Sequence, residues 1–159
     1  MNRFLGNIEA KLDAKGRVFI PAPFRKKLVP PCAEAGAEQE ACTVILRKDI
    51  YQPCIVLYPE DVWAAEMDRL SARLNPYNAT HRMLLRQFVS EAEQAVLDPN
   101  GRILISRRML QSTGLGDALR FIGMGETIEV WDAKSTATPF LSPEEMTQKM
   151  NEILGGDLR

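Results

Sequence analysis

The sequence predicts an α+β fold, mainly β, in which one unit of β-hairpin, short helix, β-hairpin and closing helix is written twice. Three observations carry this. The stretch LDAKGRVFIP at 12–21 returns as LDPNGRILIS at 97–106, so that Leu, Asp, Gly, Arg and Ile recur 85 positions apart. Two short apolar runs follow each copy, TVILR and CIVLY in the first half and ALRFIG and TIEVWD in the second. Each half also carries sequence with helical spacing.

Each motif follows a stretch of mixed polarity (FLGNIEAKL, FVSEAEQAVL) suited to a strand with one wet face. DAKG and DPNG are turn chemistry. The aspartate accepts from nearby backbone N–H groups, Pro99 presets φ, and Gly16 or Gly101 supplies the positive φ that other residues resist. Arg-Val-Phe-Ile and Arg-Ile-Leu-Ile then read as return strands, which makes Asp-x-x-Gly the expected tip of a β-hairpin in each repeat.

PAPFRKKL reads as a short helix, with proline near its start and Phe24 and Leu28 one turn apart. SRRMLQST is its counterpart and ends at Gly114, a helix stop. In PEDVWAAEMDRLSARL the residues Trp63, Met67, Leu70 and Leu74 recur at helical spacing, with acids early and arginines late. NPYNATHRMLLRQF predicts a linking helix, and Ser142-Pro-Glu-Glu145 resembles a capping box ahead of Met146, Met150 and Ile153. The segment 30–41 is the expected loop. The division falls between residues 1–75, a first module with its closing helix, and 76–159, a linking helix, second module and C-terminal helix.

With 159 residues, 45% apolar and 26% charged, the chain has the composition of a globular protein rather than a disordered one. No apolar run approaches the roughly 18 residues of a membrane-spanning helix. MNRFLGNIEA lacks the hydrophobic core of a signal peptide, so a cytosolic protein is expected. Cys32, Cys42 and Cys54 are odd in number and widely spaced, which speaks against a disulfide framework or a zinc site. His81 has no Cys or carboxylate cluster beside it. Neither a metal nor a cofactor is expected.

The formal net charge of −1 hides an asymmetry. Residues 1–30 carry seven basic side chains against Glu9 and Asp13, whereas 31–75 and 114–159 are each net acidic. A basic patch around the first motif on a near-neutral protein suits an anionic partner, nucleic acid first, or is simply a solvated surface.

For catalysis the sequence offers little: no Gly-x-Ser-x-Gly elbow, no phosphate loop and no Gly-x-Gly-x-x-Gly. Asp13 and Asp98 would form a carboxylate pair if the halves meet, but each has an arginine four residues on that keeps it ionised. No enzyme is expected. A guanidinium at the base of a hairpin tip can grip a phosphate or fork onto guanine O6 and N7, and a two-stranded ribbon fits the major groove. Equally, Asp13–Arg17 and Asp98–Arg102 are local salt bridges in waiting, worth about 0–1 kcal/mol at a surface.

LDAKGRVFIPAPFR, LYP at 57–59, LDPNGRILIS and IEVWD at 128–132, in this order and spacing, resemble the bacterial MraZ family. The resemblance implies two tandem SpoVT/AbrB-like modules, interlocked about a pseudo-twofold axis as a swapped-hairpin (double-split) β-barrel with flanking helices. It also implies a ring-shaped homo-oligomer that binds double-stranded DNA at promoter direct repeats. The gene cluster concerned is that of division and cell wall, and the location cytoplasmic and nucleoid-associated. On this resemblance Arg17 reads or grips DNA, Lys15 and Lys11 contact phosphate, and Asp13 with Gly16 shapes the tip. Arg102 is the second-module counterpart. Ser106, where the family often places proline, and Leu110, where the first module has Arg25, leave the contact chiefly with the first copy. The alternative is an assembly or interaction protein whose Asp-Arg motifs are structural.

Overall fold

The structure, a computed structural model, describes residues 3–28, 42–135 and 138–155. The expected loop at 30–41, Cys32 included, lies outside these described residues. In chain order the elements are β1 (Asn7–Lys11), β2 (Arg17–Phe19), α1 (Ala22–Leu28), β3 (Thr43–Lys48) and β4 (Ile55–Pro59). Then come α2 (Glu60–Arg73), α3 (Ala79–Ser90), β5 (Glu93–Val96), β6 (Arg102–Leu104) and α4 (Arg107–Thr113). β7 (Ala118–Gly123), β8 (Ile128–Asp132) and α5 (Pro143–Leu154) complete the order.

Six strands form one antiparallel sheet in the order β1-β7-β8-β4-β3-β5, and β2 pairs with β6 in a separate two-stranded ribbon. Exchanging each strand for its counterpart in the other repeat reproduces the same order read from the opposite edge. This is the expected pseudo-twofold relation. It corrects the hairpin expectation, however. The chain turns tightly at Asp13, where Asp13 N–H donates to the Arg17 carbonyl at 2.8 Å, but the flanking strands then part company. β1 pairs with β7, and β2 pairs with β6. The hairpins of the first and second motifs are thus exchanged between the repeats.

A second correction concerns the barrel. The large sheet is open, with β1 and β5 as its edges, and the β2–β6 ribbon is not joined to it by a continuous ladder. The ribbon is only three residues long because Pro21 and the N-cap Ser106 begin α1 and α4 directly after it. The α+β class holds, though helices carry more of the described residues than strands do.

One core serves both repeats. Val18, Ile20 and Phe24 of the first pack in it with Ile103, Ile105 and Met109 of the second, together with inward residues of β3, β4, β7 and β8. Alternation dictates which side chains enter: in β2 and β6 only the central Val18 and Ile103 are buried, and they face each other in register. α1 contributes Phe24 and Leu28, one turn apart as expected, and α4 ends at Gly114 in the left-handed conformation, φ +72°.

α2 lies against β3 and β4 through buried Val62, while Trp63 packs edge-on to Tyr58 and stacks on Phe88 of α3 at 5.5 Å. Arg47 of β3, only 6% exposed, joins this group. Its Cζ is 4.1 Å from the Phe88 ring centroid, and its Nε donates to the Phe88 carbonyl at 3.0 Å. α5 begins with the expected capping box, Ser142 Oγ accepting from Glu145 N–H and Glu145 from Ser142 N–H. Neither α3 nor α5 buries a residue. Among the described residues no helix is long and apolar enough to cross a membrane.

Candidate nucleic-acid interface

The two Asp-x-x-Gly-Arg turns are brought side by side and locked to each other. The N–H of Ile20 donates to the Gly101 carbonyl at 3.0 Å, and the N–H of Ile105 donates to the Gly16 carbonyl at 2.8 Å. Each repeat therefore closes the other's turn. Both glycines have φ +86°, the left-handed region where a side chain is strained. Space is short as well: a Cβ on Gly16 would lie 2.9 Å from the Ile105 carbonyl oxygen, and one on Gly101 2.6 Å from Arg25 Cδ.

Both aspartates are Asx-turn acceptors. Asp13 Oδ1 accepts from Lys15 N–H at 2.9 Å and Arg17 N–H at 2.8 Å, and Asp98 Oδ1 from Asn100 and Arg102 N–H, both at 2.9 Å. The Arg17 backbone N–H is the main reason the Asp13 carboxyl is held below its ordinary range, helped by Lys15 N–H and by the charges of Arg17 and Arg102. Asp98 is lowered in the same way, first by Arg102 N–H and then by the Arg102 side chain. Two carboxylates kept ionised in this manner make poor general acids.

The arginines differ. Arg102 donates Nε–H to Asp98 Oδ2 at 2.8 Å, its Nη1 is 4.0 Å from Asp13 Oδ2, and its Cζ stands 5.6 Å from the Phe19 ring centroid. Arg17, at the equivalent place in the first turn, makes no side-chain hydrogen bond or ion pair among the described residues. Its charge is left to the solvent and to the field it lends Asp13. Lys15 at the tip and Lys11 at the end of β1 are exposed. The salt-bridge alternative thus fits the second turn, while the first presents a guanidinium and an ammonium with no ion-pair partner among the described residues.

Arg25, one of a basic run in the sequence, does something the spacing alone did not reveal. Its Nη1 donates to the Ile20 carbonyl at 3.1 Å and its side chain lies across the Gly101 turn. The only signal for this was the mismatch of Arg25 with Leu110. Phe19 and Leu104 likewise face outward, where the sequence pattern marks them only as strand residues.

Elsewhere the reactive side chains have structural posts. His81 Nδ1 accepts from Asn75 N–H at 2.9 Å. Burial pushes the Cys54 thiol up to about 12 and raises Cys42 as well, which suppresses thiolate formation at both.

Residues 3–87 match the family described as "MraZ protein, putative antitoxin-like". Over 159 residues the chain is 48% identical to a protein of Bacteroides fragilis named transcriptional regulator MraZ, covering 100% of this chain and 96% of that one. The chain belongs to the MraZ family. A Phocaeicola vulgatus protein of the same name is 50% identical over 153 residues, 96% of this chain and 94% of its own. The Escherichia coli K12 protein of that name is 34% identical over 129 residues, 81% of this chain and 79% of its own. The match to the family covers the first turn, while the relatives extend across both.

Proposed function

We propose that the chain is a transcriptional regulator that binds double-stranded DNA selectively, needs no cofactor, and meets the DNA through its first Asp-x-x-Gly-Arg turn. The observation that carries this reading is the contrast between Arg17, whose guanidinium has no hydrogen-bond or ion-pair partner among the described residues, and Arg102, which is tied to Asp98. A cation carried on a rigid turn, with no carboxylate of the described residues to neutralise it, is suited to phosphate or to guanine O6 and N7. Lys15 and Lys11 add phosphate contacts, Asp13 and Gly16 set the turn, and Arg102 supports it from the second copy. The names of the relatives point to transcription, and the family resemblance to promoter direct repeats of the division and cell-wall cluster, read in the cytoplasm on the nucleoid.

Self-association belongs to the same proposal. A single turn offers few contacts, and a ring of copies facing repeated sites multiplies them through effective concentration. The exposed apolar residues of α3 (Met83, Leu84, Val89) and α5 (Met146, Ile153) support such packing between copies. Within each copy, 1–75 and 76–159 serve as two AbrB-like modules that exchange strands.

A second reading, an assembly protein whose Asp-Arg motifs are structural, draws on the Arg102–Asp98 pair. Titrating the chain with a duplex from the region upstream of its own gene, against a scrambled duplex and at several salt concentrations, separates the two. Preference for the native duplex that weakens as salt rises supports the regulator. No binding to either duplex at low salt supports the assembly protein.

A further inference from the structure

The outer face of the β2–β6 ribbon carries four side chains. Register sets Arg17 opposite Leu104 and Phe19 opposite Arg102, so cations and apolar groups alternate along both strands and across them. Val18 and Ile103 point inward and are buried, while Phe19 and Leu104 stand 53% and 55% exposed on the outside. Two large apolar residues on the wet side of so short a ribbon work against solubility unless they meet something. Phe19 is also held in place: Arg102 lies against its ring and is itself fixed by Asp98.

The neighbouring charges indicate what the apolar pair meets. Arg17 shares their face, Lys15 lies just beyond it, and Arg25 covers the adjoining second turn. A polyanion suits those cations, and a two-stranded ribbon fits the major groove of a duplex. In that groove the one apolar group offered by the bases is the thymine 5-methyl. Resting on the DNA-binding reading above, we infer that Phe19 and Leu104 are specificity residues that read thymine through its methyl group. Residues two apart on a strand are separated by roughly 6.8 Å, about two base-pair steps of a strand laid along the groove. The thymine packed by Phe19 therefore lies about two steps from the position Arg17 contacts.

The test uses the full chain and duplexes from the region upstream of its own gene in which single thymines are replaced by deoxyuridine. That change removes the methyl and leaves the hydrogen-bonding edge intact. The expected result is a loss of about fourfold for each methyl that is packed, at one or two thymines per repeat and at no others. Phe19→Ala or Leu104→Ala should weaken binding to the thymine duplex and add little further loss on the matching deoxyuridine duplex. Indifference to deoxyuridine at every position, or equal losses from these variants on both duplexes, overturns thymine reading while leaving DNA binding intact. A change in sedimentation of Phe19→Ala with unchanged affinity also overturns it, by assigning the face to a second copy. Failure of the unsubstituted chain to bind any duplex overturns the DNA reading itself.

Discussion

Arg102 donates its Nε–H to Asp98 Oδ2 at 2.8 Å across the second turn, a bond that Arg17 does not make with Asp13. The two turns share a sequence signature, the same backbone hydrogen bonds and the same glycine conformation, so the difference lies in the side chains around them. Arg102 is flanked by the Phe19 ring and both carboxylates. Near-identical motifs thereby hold their arginines differently.

The first prediction follows from that division. Arg17→Ala should remove selective DNA binding, at about 1–3 kcal/mol per contacted site and compounded over several copies, while the thermal midpoint moves by no more than a few degrees. Arg102→Ala should do the reverse, lowering the midpoint more than the affinity. Duplex titration and thermal melts of both variants check this, and an equal or larger affinity loss in Arg102→Ala would refute the asymmetry.

Substituting the turn glycines should rank them by what a new Cβ meets. Both positions have φ +86°, a strain of about 1–3 kcal/mol for a side chain. At Gly16 the Cβ also runs into a backbone carbonyl, whereas at Gly101 it meets Arg25, whose side chain can swing away. Gly16→Ala is therefore expected to be the more destabilising in chemical denaturation.

Acid should loosen both turns. The Asp13 and Asp98 carboxyls are lowered in the folded chain, so their contribution is fully present above the ordinary carboxylate pKa, roughly 4. It is lost as pH falls through the lowered folded values, because the unfolded chain then binds more protons. Asn retains an oxygen that accepts from the same N–H groups but does not titrate. Melts of the Asp13→Asn/Asp98→Asn variant should accordingly depend less steeply on pH below roughly 4 than those of the parent chain.

Ile103→Ala should cost about 2–5 kcal/mol, the usual range for an isoleucine truncated in a core. Because Ile103 faces Val18 of the other repeat, both repeats should lose stability together in one transition. Two separate transitions in calorimetry would contradict a shared core.

The elements themselves were legible in the sequence, since each is set by neighbours along the chain. Asp-x-x-Gly forces the turns, the capping box starts α5, and the apolar runs at 43–48, 55–59, 118–123 and 128–132 pair as the two expected hairpins. Partners were a different matter. Alternation in NIEAK tells which side chains face inward but not that Asn7 lies opposite Ile122, and a tight turn alone looks the same whether or not its flanking strands pair with each other. Of the interface, the turn residues stood out because they repeat. The contact of Arg25 with the second turn and the exposure of Phe19 depend on how the repeats cross, which no local pattern encodes.

The crossed bonds of Ile20 to Gly101 and Ile105 to Gly16 have a bearing on how the chain comes into being. On the ribosome, β1 and β2 emerge long before β7 and β6, and until then the first turn has neither its sheet partner nor the donor that closes it. Such distant pairings delay folding and leave apolar strands uncovered meanwhile. A nascent chain halted before β6 would consequently hold every residue of the first turn and still lack the partners that fix it, so the turn takes its final shape only once the second repeat has been made.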